Sequence, residues 1–191
     1  MTAMTSLSNP LAGAASLVEV LRHRASLQPD RLAYRFLADG EVEEATLTYA
    51  ELDRRARGVA AFLQSLGARG ERVLLLYPAS LDYVAAFYGC LLAGAVAVPA
   101  YPPRPNRPMP RIRAIVADAQ ARFALTTTAV FATLERRIED LPDLQALTWR
   151  TTDDLPDEGA GAWRDPGVGR ETLAFNPPKA VWPVPPLVEA M

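Results

Sequence analysis

The sequence predicts an α/β fold: a partial layered α/β/α unit with a mainly parallel sheet and an antiparallel hairpin near the start. Three observations predict it. The block Arg72–Pro103 reads as strand, turn, apolar helix and second strand in about thirty residues, the size of one βαβ unit. Strand-like and helix-like stretches keep alternating after it, which favours parallel pairing through crossovers. Before it, two strand-like runs flank Asp39-Gly40, a strong hairpin signal.

Taken in order, Ser16-Leu17-Val18-Glu19 fits a capping box that opens a helix ending near Leu27, before Pro29. Arg31–Leu37 and Glu43–Thr48 are the hairpin strands. Thr48-Tyr49-Ala50-Glu51 is a second capping box. Leu52, Ala56, Val59, Leu63 and Leu66 follow at alternating four- and three-residue spacing, with Gly67 at the C′ position. That stripe leaves Asp53, Arg54, Arg57 and Gln64 facing water. Val73–Tyr77 is the first strand of the organising block, and Pro78-Ala79-Ser80 turns into the helix that runs to Gly94. Ala95–Ala100 is the second strand. Arg107–Gln120 then carries Ile112, Ile115, Val116 and Ala119 on one helical stripe.

Arg122–Thr126 is a short strand. Thr127 or Thr128 caps a helix whose Val130, Phe131, Leu134 and Ile138 face inward, and Leu144–Arg150 is a further strand. Thr151–Arg170, acidic and rich in glycine and proline, reads as a surface loop. Glu171–Phe175 reads as the start of one more strand. Residues 1–15 read as a flexible lead-in, 16–175 as the folded unit, and 176–191 as a proline-rich tail. Ligands of such sheets bind beyond the carboxyl ends of the strands. Function is therefore expected at the loops after Tyr77, Ala100, Thr126 and Phe175.

Composition narrows the partners. A net charge of −2 and an isoelectric point near 5.5 offer no basic face to nucleic acid or anionic lipid. Cys90 is the sole cysteine, so an intramolecular disulfide is impossible and a reducing, cytoplasmic compartment is expected. Its apolar neighbours mark it as a buried, inert thiol, and His23 between two arginines as a solvated residue. Tyr83–Pro103 is free of charge over 21 residues, long enough for a membrane span. Gly89, Gly94, Pro99, Pro102 and Pro103 within it favour a buried helix and strand instead, so no transmembrane segment is expected. The polar Met1–Pro10 lacks the basic start of a signal peptide.

Three stretches carry a resemblance: Thr46-Leu47-Thr48-Tyr49-Ala50-Glu51-Leu52, Gly70-Glu71-Arg72-Val73, and Phe87–Val98. Together with Val98-Pro99-Ala100-Tyr101-Pro102-Pro103-Arg104-Pro105, and with Ile112–Ala119 followed by Phe123-Ala124-Leu125-Thr126, they resemble the amino-terminal region of fatty-acyl-AMP ligases. These belong to the adenylate-forming superfamily. Pro99, Ala100, Tyr101, Pro102 and Pro103 are the family signature. The resemblance implies ATP and Mg²⁺ as cofactors for the full-length family, and a fatty acid and an acyl carrier protein as partners. It implies a reaction in which the fatty acid attacks ATP, releases pyrophosphate and yields an acyl adenylate.

The resemblance implies that 16–175 is a truncated AMP-binding domain and that 176–191 is a tail that does not match, for in such enzymes a Thr/Ser/Gly-rich phosphate loop is expected directly after Phe175. This sequence continues Asn176-Pro177-Pro178-Lys179-Ala180-Val181, and prolines at 177, 178, 183, 185 and 186 remove amide donors. The sequence thus yields no catalytic, cofactor-binding or metal residue. The expectation is a chain truncated by deletion, frameshift or a misread frame, and inactive alone. The alternative is a non-catalytic partner-binding protein, or one part of a split ligase that associates with a separately encoded remainder. Asp153, Asp154, Asp157 and Glu158 read as solvated loop carboxylates rather than metal ligands. Lys179, the sole lysine, reads as incidental, and Gly167-Val168-Gly169-Arg170 is too short for a dinucleotide loop. Arg104, Arg107, Arg111 and Arg113 read as a solvated helix surface.

Overall fold

A computed structural model describes residues 14–38, 41–103 and 109–176. Helix α1 (Leu17–Leu27) is capped by the Ser16 hydroxyl, which accepts from the Glu19 amide. Strands β1 (Leu32–Ala38) and β2 (Val42–Thr48) pair antiparallel, as expected, while Asp39-Gly40 lies outside the described residues. Thr48 and Glu51 form the full reciprocal capping box at the start of α2 (Tyr49–Ser65). Gly67, with φ 69°, supplies the left-handed residue beyond its end.

The second sheet is parallel and runs β4-β3-β5-β6, with β3 Arg72–Leu76, β4 Val96–Ala100, β5 Phe123–Thr126 and β6 Thr148–Thr151. The chain goes from β3 outward to β4 through α3 (Leu81–Ala93), then returns across β3 to β5 through α4 (Pro110–Ala119). That reversal is the switch in strand order where open α/β sheets gather their ligands. Helices α5 (Thr128–Glu139) and α6 (Pro142–Gln145) lie between β5 and β6.

Alternation along β3 divides the core. Val73, Leu75 and Tyr77 point to the face covered by α1, α2 and α3, whereas Leu74 and Leu76 point to α4, α5 and α6. Leu74, Leu75 and Leu76 are completely buried, each stabilising the fold by about 1.5–3 kcal/mol. A strand covered on both faces reads as a continuous apolar run, which is why Val73–Tyr77 shows no polar alternation. The uncharged stretch from Tyr83 is the 13-residue α3 followed by β4. Among the described residues no helix is long and apolar enough to cross a membrane.

Pro99 sits inside β4 opposite Leu75. Val96 donates its amide inward to Glu71 O, whereas the amide and carbonyl of Ala97 face the outer edge. Pro99 shares the phase of Ala97, so its nitrogen faces outward and costs β3 no hydrogen bond.

Five expectations are corrected. Asp53 is 5% exposed, because α1 covers that side of α2 and the carboxylate pairs with Arg57 one turn on. Gln64 is half-buried, its side chain bonded to the backbone of Arg164. Leu144–Arg150 is not one strand. Pro142 starts a short helix that contains Leu144 and Gln145, and β6 begins only at Thr148. Thr151–Arg170 is more than a surface loop. It contains a 3-10 helix (Asp157–Ala162), and Leu155, Trp163 and Val168 pack against the α2–α3 face. The strand expected at Glu171–Phe175 is one parallel bridge, Phe175 beside Ala97.

Candidate functional site

The carboxyl ends of β3, β5 and β6 converge at the switch in strand order. Tyr77 follows β3 and is 2% exposed; its phenol lies 2.7 Å from the Thr152 hydroxyl just past β6. Burial holds that phenol far above its ordinary pKa, so it stays protonated. Thr126, at the end of β5, donates its hydroxyl to Leu76 O at 2.7 Å. Thr127 caps α5 by accepting from the Val130 amide at 3.3 Å. Hydroxyls thus tie the end of β5 to β3 and, across β5, the end of β3 to the residue after β6.

The acidic residues have structural partners. Asp153 accepts from the Thr128 amide at 2.8 Å and from its hydroxyl at 3.1 Å, so a carboxylate already occupies the positive N-terminus of α5. Asp154 accepts from the Thr151 hydroxyl. Of Asp157 and Glu158, only the backbone lies within what the structure describes. Beside these residues a cleft of about 330 Å³ is lined by Arg54, Arg55, Asp82, Thr152 and Asp153, with Arg55 3.6 Å from Asp82. Its charges are mixed in sign.

The signature residues lie on the other side of β3. Pro99 and Ala100 close β4, Tyr101 is 68% exposed, and Pro102 and Pro103 are half-buried. An aromatic row connects the two regions: Tyr77 to Tyr83 at 6.4 Å between ring centres, then Tyr83 to Phe87 and Phe87 to Phe175, each 6.2 Å. Burial, and secondarily the nearby Tyr101, raises the Tyr83 pKa. Arg111 is exposed on α4 and Arg113 binds Asp143 at 2.7 Å. Gly167 and Gly169 lie in the segment that returns to β4. Arg104, Arg107, Lys179 and the chain after Asn176 lie outside the described residues.

The described residues offer no ready-made cradle for Mg²⁺ and a nucleoside triphosphate, because the groups at this edge already have partners within the chain. Magnesium is held by carboxylate oxygens set beside the phosphates, whereas Asp153 is turned onto the Thr128 amide, with both oxygens within 3.1 Å of it. No group of three or more metal-ligating side chains occurs among the described residues. The helix N-termini at this edge are capped by Ser80, Thr127 and Asp153. Sequence reasoning missed two features, the Tyr77–Thr152 bridge and the burial of Trp163. A tryptophan within an otherwise acidic, glycine-rich stretch was the available signal for the second.

Known proteins share this architecture. The family described as AMP-binding enzyme matches residues 21–184. A medium-chain-fatty-acid–[acyl-carrier-protein] ligase, JamA of Moorena producens, is 40% identical over 164 residues, covering 84% of this chain and 28% of that protein. The long-chain-fatty-acid–AMP ligase FadD23 of Mycobacterium tuberculosis is 34% identical over 132 residues, 68% of this chain and 23% of that protein. A solved fatty acyl-adenylate ligase from L. pneumophila, in complex with acyl adenylate and pyrophosphate, superposes with a TM-score of 0.75 at 32% identity. It covers 84% of this chain and 27% of that one. The chain therefore spans about a quarter of the length of these relatives. With the parallel sheet, the hairpin before it and a match over residues 21–184, the chain belongs to the AMP-binding enzyme family.

Proposed function

We propose that this chain is the amino-terminal part of the adenylation domain of a ligase that activates a fatty acid with ATP and passes the acyl group to an acyl carrier protein. The observation that carries the reading is the 40% identity to JamA over 164 residues. In this reading the chain supplies scaffold. It holds the strand ends at the switch point and brings Phe175 and Asn176 to the outer edge of β4, and by itself it releases no pyrophosphate. Support for the last point is chemical: the hydroxyls of Tyr77, Thr126, Thr127 and Thr152 and the carboxylates of Asp153 and Asp154 are engaged with one another or with backbone groups. Exposed Tyr101, Leu173 and Phe175 suit a surface that further polypeptide covers, in the same chain or another.

A graft tests the proposal. Residues 16–176 replace the matching segment of the Moorena ligase, and fatty-acid-dependent pyrophosphate release from ATP is measured, with acyl transfer to a carrier protein as a second readout. The expected result is retained adenylation in the graft and none from the 191 residues alone. A folded graft that binds neither substrate would overturn the assignment. Pyrophosphate release by the isolated chain would overturn its role as scaffold.

A further inference from the structure

The segment after β6 leaves the carboxyl edge of the sheet at Thr152, crosses the α2–α3 face and returns along the outer edge of β4. Three helices hold it at one place. From α3, Leu92 O accepts the Trp163 indole N–H at 2.8 Å. Carbonyls in the last turn of a helix lack intrahelical donors, so this bond fills a vacancy that the fold must fill somehow. From α2, Gln64 makes a reciprocal pair with the backbone of Arg164, donating to its carbonyl at 2.7 Å and accepting from its amide at 3.1 Å. From α1, Arg22 lies over the Trp163 ring at 5.1 Å and bonds Asp165 at 2.6 Å.

The way back to β4 is equally constrained. Asp165 accepts from the Gly167 amide at 2.9 Å, and Gly167 has φ 67°. Pro166 and Val168 then lie against Gly94, where an added Cβ would stand 3.4 Å and 3.5 Å from them. Beyond Val168, the contact with the sheet among the described residues consists of two hydrogen bonds, and the Phe175 ring meets Phe87 of α3 at 6.2 Å. Ala97 donates to Ala174 O at 3.1 Å, and Asn176 donates to Ala97 O at 2.9 Å. Two bonds at an exposed edge do not hold a segment in register alone.

We propose that Arg22, Gln64 and Trp163 form a latch that positions Phe175 and Asn176 on β4, so that residues 163–176 open and close as one unit, separately from the sheet. Arg22, Gln64 and Trp163 are positioning residues, acting at a distance on the contact of Phe175 and Asn176 with Ala97. The inference does not depend on the adenylation reading, and its test reads no activity.

Native-state amide hydrogen exchange on the full chain, followed by NMR, provides that test. Neighbouring residues report on opposite edges of β4: the Ala97 amide is held by the returning segment, the Val96 amide by Glu71 O on the β3 side. In the unaltered protein the Ala97 and Asn176 amides and the Trp163 indole share one opening, with one common denaturant dependence. Separate openings for the three would overturn the proposal without any variant. Arg22→Ala removes a ring contact and an exposed ion pair, and is expected to speed exchange at Ala97 and Asn176 by about five- to tenfold, leaving Val96 unchanged. Arg22→Lys keeps the charge but not the planar stack and falls between. Unchanged Ala97 and Asn176, or an equal acceleration at Val96, would refute the latch.

Discussion

Replacing Gly89 by alanine sets two effects of opposite sign against each other. In the middle of a helix, alanine is favoured over glycine by about 0.8–1.0 kcal/mol, so propensity alone predicts a more stable protein. The contact with α2 opposes it. A Cβ built on Gly89 would stand 2.5 Å from Val59 Cγ1, 2.6 Å from Val59 Cβ and 3.2 Å from Ala56 O. Carbon atoms rest at about 3.5–4.0 Å, so the helices would have to separate by about 1 Å or Val59 turn away. Valine on a helix has essentially one rotamer, which leaves separation. Overpacking of this kind costs about 1–3 kcal/mol.

The net expectation is a loss of about 1 kcal/mol, read as a lower urea midpoint by tryptophan fluorescence and a melting temperature lower by about 2–4 °C. Val59→Ala provides the decisive background. Alone it removes buried methyl groups and destabilises by about 1.5 kcal/mol. Val59→Ala removes Cγ1, the nearer atom, but keeps Cβ at 2.6 Å, so Gly89→Ala should stay destabilising there by a smaller amount than in the unaltered protein. The double-mutant cycle then shows a coupling of about 0.5–1 kcal/mol, of the sign expected for a partly relieved contact. A Gly89→Ala effect of the same sign and size in both backgrounds would refute the close approach of α2 and α3.

Three further outcomes are expected. Thr48→Ala breaks the capping box and costs about 1 kcal/mol in urea denaturation; it also raises the Glu51 pKa, which the Thr48 amide and hydroxyl now hold below its ordinary value. Tyr77→Phe leaves Thr152 without its partner and lowers stability by about 1 kcal/mol, measured the same way. Burial raises the pKa values of Cys90, Tyr77 and Tyr88 in the folded state, so the folded protein keeps protons that the unfolded chain releases. Their contribution is complete below the unfolded values of about 8.5 for a thiol and about 10 for a phenol, and falls as pH rises above them. Stability measured from pH 7 to 11 should decline at the alkaline end, and Cys90→Ala should delay the onset.

Local chemistry was legible in the sequence, and contacts between distant segments were not. The Ser16 cap and the Thr48 capping box depend on residues three apart, so their spacing suffices, although Glu19 reaches back to the Ala15 amide and leaves the box at Ser16 incomplete. The hairpin and the βαβ block are legible for the same reason. Asp53 was misread because a helical stripe assigns charge to the water side, and only the position of α1 shows that this side is covered. Leu144 and Gln145 were misread because an apolar leucine before a β-like run suits either element, and Pro142 as a first helical residue is a quieter signal than Pro99 inside a strand. The site expectation followed the same division. The strand ends at Tyr77 and Thr126 do meet, but Thr152 reaches Tyr77 from 75 positions away, a pairing that no local pattern encodes.

Pro99 has a consequence for what can attach to this sheet. A strand pairing with the outer edge of β4 finds one complete rung at Ala97, and the next donor along the edge would be the nitrogen of residue 99. Proline has no hydrogen there, so a parallel ladder that starts at Ala97 loses its next bond as it passes Asn176. The same missing hydrogen works against a foreign strand that would add itself to the carboxyl half of β4, the usual route to edge-to-edge aggregation. A residue first noticed as a label of kinship therefore denies the outer edge of β4 its next donor beyond Ala97.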